Sequence, residues 1–153
     1  MTVTVRSVTG LMRGVGRLLA VTGVLVAADA CGSKSPIAPD QSNVAFSTTD
    51  LTVGTGAEAT AGTRATVQYN AFFYSDTAAD HKGAQFDAGT IPFVVGATPP
   101  AVIRGFDMAV TGMKVGGTRR AIVPPSLAYG SAGNGPIPPN AALVFDIALT
   151  NIQ

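Results

Sequence analysis

The chain has 153 residues, 46% hydrophobic and 12% charged, which gives it enough apolar material for one buried core and too few charges for a disordered tail. Its net charge of +1 depends on Arg6, Arg13 and Arg17, and beyond Ala30 the acids outnumber the bases by one, so the basic surface of a nucleic-acid binder is missing. A single cysteine, Cys31, and a single histidine, His81, exclude an internal disulfide and a histidine-built metal site.

The first thirty residues read as an export signal. Residues 1–17 carry the three arginines and no acid, and residues 18–28 are a predominantly apolar run. A spanning helix needs about 20 apolar residues, so this run suits the core of a signal peptide instead. Ala28 and Ala30 supply the small residues that a signal peptidase reads, directly before Cys31. Cys31, followed by Gly32, Ser33 and a polar, proline-containing stretch, resembles the cleavage site and tether of a bacterial lipoprotein; Asp29 departs from that pattern. The resemblance implies lipid attachment at Cys31, a flexible tether over 31–49, and residence in the periplasm or cell envelope at a membrane surface. Acyl chains on the cysteine would hold the protein there without a spanning helix.

A folded domain is expected over 50–153. Ala65, Val67, Tyr69, Ala71 and Phe73 alternate with polar residues, the period of a half-buried strand. Residues 75–83 read as a polar loop with a solvated His81, 84–87 as the start of a return strand, and 91–95 as a separate short strand. Pro99 and Pro100 then introduce one amphipathic helix, with Val102, Ile103, Phe106, Ala109, Val110 and Met113 at helical spacing and glycines to stop it. Residues 119–123 form a strand closed by Pro124 and Pro125, and Leu143, Phe145, Ile147 and Leu149 alternate down the last one. The pattern is α+β: an antiparallel sheet packed on one short helix.

Covalent chemistry finds little support. Ser126 lacks a nucleophile-elbow motif and a credible histidine base, and the glycines from Gly54 to Gly62 lack the lysine and spacing of a phosphate loop. What recurs is aromatic and branched apolar side chains, with a carboxylate, Asp87, and phenols, Tyr69 and Tyr129, that fit poorly in a plain core because they need polar partners. Such a set suits a reaction that makes and breaks no covalent bond.

Five runs carry a specific resemblance: Gly83-Ala84-Gln85-Phe86-Asp87, Val102-Ile103-Arg104-Gly105-Phe106, Gly116-Gly117-Thr118-Arg119-Arg120, Pro124-Pro125-Ser126-Leu127-Ala128-Tyr129-Gly130, and Ile137-Pro138-Pro139 leading to Leu143-Val144-Phe145-Asp146. In order and spacing they resemble an FKBP-type peptidyl-prolyl cis-trans isomerase over essentially all of 50–153. The resemblance implies a curved antiparallel sheet wrapped around one helix, and a pocket walled by Tyr69, Phe86, Ile91, Val102, Ile103, Ile137 and Phe145. Phe106 would be its floor, where the family most often has Trp. Asp87 and the Tyr129 hydroxyl would be its polar groups, and the Ile103 N–H would hold a peptide carbonyl. Two further departures are a slightly shortened loop over 130–138 and the absence of an arginine shortly after Asp87. The implied activity is prolyl isomerisation during the folding of exported proteins, without cofactor or metal, by a monomer; a proline-binding holdase with negligible turnover is the alternative. The implied partners are proline-containing polypeptides, with macrolide inhibitors as a further ligand class, and no nucleic acid.

Overall fold

The computed structural model describes residues 40–153; the expected signal over 1–30, Cys31 and the tether as far as residue 39 lie outside the described residues. The elements run β1 (Ser47–Thr52), β2 (Arg64–Tyr74), β3 (Lys82–Val94), α1 (Arg104–Val110), β4 (Thr118–Val123), a one-turn 3-10 helix (Pro125–Leu127) and β5 (Leu143–Ile152). The strands form one curved sheet in the order β1-β4-β5-β2-β3, each neighbouring pair antiparallel. The α+β expectation therefore holds.

Period-two alternation produces the core as expected. In β2 Ala65, Val67 and Ala71 are fully buried between exposed Arg64, Gln68 and Asn70. In β5 Leu143, Phe145, Ile147 and Leu149 face the same core. Phe145 stands opposite Ala71 on one side and Ala121 on the other. Two alanines beside one phenylalanine leave room for a helix side chain to reach that ring, and α1 fills it with Phe106.

Seven residues are too few for a helix to stand alone, so α1 depends on its contacts. Gly105, Phe106, Ala109 and Val110 form its buried side. At its far end an Arg119 Nη donates to the carbonyls of Ala109 (2.9 Å) and Thr111 (3.1 Å), while Nε bonds Asp50 at 2.6 Å. One guanidinium thus joins β4, β1 and the negative end of the helix dipole. A Cβ on Gly105 would run into the Val123 side chain and lie 3.2 Å from the Leu127 carbonyl. Gly105→Ala should accordingly lower unfolding free energy by about 2 kcal/mol, the middle of the overpacking range, measured by urea denaturation.

Four details differ from the sequence reading. Val102 and Ile103 do not share a helix face with Phe106. They precede α1, with Ile103 extended at the cap (φ −59°, ψ 147°) and its carbonyl accepting from the Phe106 and Asp107 N–H groups. Val102 and Ile103 are both β-branched, and their stiff side chains favour that extended approach over helix. β1 begins at Ser47, ahead of the expected start at 50, and Gln41 is already tied into the domain. Its side chain donates to Tyr74 O (3.2 Å) and accepts from Ala142 N–H (2.8 Å). A glutamine's two-sided bonding leaves no mark in composition. β3 is one strand of 13 residues, because an exposed edge strand needs no continuous apolar alternation. His81 is half-buried, stacked on Tyr74 with centroids 5.1 Å apart.

Candidate active site

Tyr69 is the polar member of the inward row of β2, and the neighbouring strand β3 supplies its partner. Ala71 pairs with Asp87, whereas Phe72 pairs with Gln85, so Phe86 is the extra residue of a β-bulge. Consecutive residues of a regular strand point to opposite faces; the bulge allows Phe86 and Asp87 to border one cavity. Phe73 backs Phe86 at 4.7 Å between ring centroids. The Tyr69 hydroxyl donates to Asp87 Oδ2 at 2.8 Å, and Asp87 Oδ1 accepts the Ala88 N–H at 2.8 Å. Each carboxylate oxygen therefore has a donor within the protein. The bond to Asp87, helped by burial and by the carboxylate's charge, raises the Tyr69 pKa, so the phenol stays protonated beyond the ordinary tyrosine value of about 10.

Phe106 lies at the base of the cavity and is 4% exposed. Tyr69 and Phe145 meet it nearly at right angles, 84° and 83°, with centroids 5.7 Å and 5.3 Å away. Phe93 supports it at 5.9 Å. Edge-to-face contacts of this kind suit the ring quadrupole, and they make a floor with two upright walls. The extended approach to α1 adds Val102, Ile103 and Ala101, and β3 adds Ile91. Pro124 and Pro125 start the 3-10 helix, whose Pro125 carbonyl accepts from both Ala128 and Gly130; between those two lies Tyr129, at the cavity rim. Neither the Tyr129 hydroxyl nor the Ile103 N–H has a hydrogen-bond partner among the described residues.

The cavity holds about 180 Å³. It brings together Tyr69, Phe86, Asp87, Ile91, Val102, Ile103, Phe106, Tyr129 and Phe145, all nominated from sequence. It does not include Ile137, which is 7% exposed and packs in the main core. The tight turn preceding Ile137 directs that side chain inward. Ala101 was missed as a lining residue, although it opens the run that continues to Phe106. A larger cleft of about 410 Å³ elsewhere in the domain is lined by Asp40, Gln41, Asn43 and Asp76 among others. Volume alone would favour it. Its one aromatic, Tyr74, stands among carboxylates and amides rather than in a cluster of rings, so chemistry favours the smaller cavity.

Opposite Phe145 along β5, Asp146 leads an ionic cluster on the other face of the sheet. Arg120 donates to it through Nε at 2.6 Å and an Nη at 2.9 Å, and Lys82 at 3.1 Å, with Asp80 beside both cations. Burial works hardest on the Asp146 carboxyl and disfavours its charge. The bonds and charges of Arg120 and Lys82 together outweigh burial and hold it below the usual carboxylate range. Among the described residues no group of His, Cys, Asp and Glu side chains could hold a metal ion, and Ser126 is exposed and outside the cavity.

Comparison with known proteins agrees with this geometry. A model of the FKBP-type peptidyl-prolyl cis-trans isomerase family matches residues 56–150. The chloroplastic peptidyl-prolyl cis-trans isomerase FKBP16-4 of Arabidopsis thaliana is 44% identical over 107 residues, covering 68% of this chain and 46% of that protein. FK506-binding protein 3 of Yarrowia lipolytica is 40% identical over 106 residues, covering 68% of this chain and 24% of that one. The chain thus spans less than half the length of these curated relatives. Among solved structures, a peptidyl-prolyl cis-trans isomerase of Pseudomonas syringae superimposes with a TM-score of 0.58 at 32% identity, over 71% of this chain and 75% of that one. FkpA of Escherichia coli gives 0.59 at 28% identity, over 74% and 50%. An aromatic box on a curved five-stranded sheet, in a chain matched from residue 56 to residue 150, places this protein in the FKBP-type peptidyl-prolyl cis-trans isomerase family.

Proposed function

We propose that the protein catalyses cis-trans rotation about X–Pro bonds in the cavity above Phe106. The observation that carries this reading is the pair of unpartnered donors, the Tyr129 hydroxyl and the Ile103 N–H, at the rim of an otherwise aromatic box. Proline packs on Phe106 between Tyr69 and Phe145. Tyr129 donates to the carbonyl preceding proline, and Ile103 to a carbonyl further along the peptide.

Rotation is slow because amide resonance sets a barrier of about 18–20 kcal/mol. At the twisted transition state that resonance is lost and the amide is less dipolar than in either planar form. A pocket walled by aromatic and aliphatic side chains therefore disfavours the planar states relative to the twisted one, which is differential binding of the transition state. Lowering the barrier by about 4 kcal/mol would accelerate exchange roughly a thousandfold. No proton is transferred in the step, so Asp87 acts by holding Tyr69 in place rather than as an acid or base.

Asp87→Leu tests this role. It approximates the volume, leaves the Tyr69 hydroxyl and Ala88 N–H without their acceptor, and should lower kcat/KM about tenfold or more, as loss of a charge-assisted bond implies. Circular dichroism should remain that of the folded protein. Full activity would show Asp87 to be only an acid on an edge strand.

The N-terminal pattern supports a place for this activity: exported, lipid-linked through Cys31, serving proline-containing segments of proteins that fold in the cell envelope. Mass spectrometry of the full chain made in a bacterial host should find an acylated Cys31 at the mature N-terminus. An unchanged acylated species in Cys31→Ser would rule that attachment out.

A further inference from the structure

The proposed proline site has aromatic and aliphatic walls from β2, β3, β5 and the approach to α1, and no apolar wall where the chain leaves Tyr129. The loop that continues from there is tied at both ends. Asn140 N–H donates to Gly130 O at 2.9 Å, and Asn134 and Ile137 exchange two backbone bonds of 2.9 Å. Between them stand Gly135 at φ +52° and Pro136, the arrangement of a two-residue II′ hairpin turn. A Cβ on Gly133 would lie 2.9 Å from the Pro138 carbonyl carbon, so the turn already touches its own exit. Exposed on this loop are Ser131, Ala132, Asn134 and Pro136, whereas its one large apolar side chain, Ile137, is turned into the core. With base and tip both hydrogen-bonded, the loop has little slack to swing Ile137 over the cavity.

This matters for the residue that precedes proline. On the isomerase reading above, on which this step rests, Tyr129 takes that residue's carbonyl, so its side chain falls toward the segment after Tyr129. There it meets a hydroxyl, an amide and backbone that water already satisfies, with only the small apolar surfaces of Ala132 and Pro136, too little to reward a large apolar side chain. We propose that this isomerase is tolerant of the side chain before proline, a tolerance set by the inward Ile137 and the short polar tip at Asn134.

The test is a set of short peptides differing only before proline, with Ala, Leu, Phe, Glu or Lys, assayed with the full chain. Their kcat/KM values should agree within about threefold, whereas a pocket that grips the side chain would separate them by about tenfold or more. Asn134→Leu sets an apolar side chain on the exposed tip and should raise the Leu and Phe peptides about threefold or more relative to the Ala peptide. Pro136→Leu makes the same change one step along the turn, in case the first variant folds poorly. A preference of about tenfold for Leu or Phe in the unaltered protein would overturn the proposal, as would two folded variants that leave the ratios unchanged. Turnover of no peptide at all would overturn the isomerase reading itself, and this inference with it.

Discussion

Phe106→Ala should cost the protein most of its turnover and about 3–5 kcal/mol of stability, as buried aromatic truncations do. The ring touches Tyr69, Phe93 and Phe145 and carries the cavity above it, so its loss removes the surface for proline and the prop for both upright walls. Typical domains have about 5–15 kcal/mol in hand, so the variant should fold at low temperature and activity can be compared there. Leu149→Ala is the control. Leu149 is buried in the main core and is neither part of the cavity lining nor one of the rings packed on Phe106; its substitution should lower stability while leaving kcat/KM within about twofold, since a core change away from the site acts mainly on folding. Phe106→Trp should move turnover or prolyl affinity upward by about 1 kcal/mol, from a few tens of Å² of added contact, with overpacking against Phe93 as the opposing effect. If the Ala and Trp variants change stability alone, Phe106 is only core.

The ionic cluster on the other face should give the second large effect. Asp146→Asn removes the anion shared by Arg120 and Lys82 and leaves two cations with only the more exposed Asp80. Breaking a fully buried pair costs about 3–5 kcal/mol; these side chains keep roughly a fifth of their exposure, so about 2–3 kcal/mol is expected, a fall in Tm of about 10 °C. The pH dependence follows from the depressed carboxyl of the folded state. Its contribution is full above the unfolded value of about 4 and is lost as pH falls through the lower folded value. The stability gap between wild type and Asp146→Asn should therefore be constant from about pH 5 to 7 and close below about pH 4. A gap that widened in acid would contradict this assignment. Turnover at neutral pH should stay near that of the wild type, because Asp146 faces away from the cavity.

The strands were legible where burial is one-sided. β2 and β5 alternate because one face meets α1 and the other does not, and that difference is written in residue type. The sequence pattern of β3 breaks into two fragments because its middle, with Ala88, Gly89 and Thr90, lies exposed at the sheet edge, where no core imposes a pattern. Most of the residues that line the cavity were legible through motif order, yet two features of their geometry were not. The bulge at Phe86 is a matter of pairing register, which depends on a partner strand distant in sequence. The inward turn of Ile137 depends on a hairpin of Gly135 and Pro136, visible as turn residues but not as the fate of the neighbour. Gln41 and His81 make the same point: bonds to Tyr74 and Ala142, and a stack on Tyr74, follow from long-range approach rather than from local composition.

On the proposed function, the aromatic box turns over X–Pro bonds rather than merely holding them. NMR exchange spectroscopy on a short Ala-Pro peptide, with catalytic amounts of the purified protein, tests it directly. Uncatalysed exchange takes tens to hundreds of seconds, so catalysis should give cis-trans cross-peaks on a sub-second scale, with rates proportional to protein concentration and abolished in Phe106→Ala. A peptide that binds at Phe106 and Tyr129, shown by shifted resonances, while its exchange stays at the uncatalysed rate would contradict it and make the pocket a proline clamp.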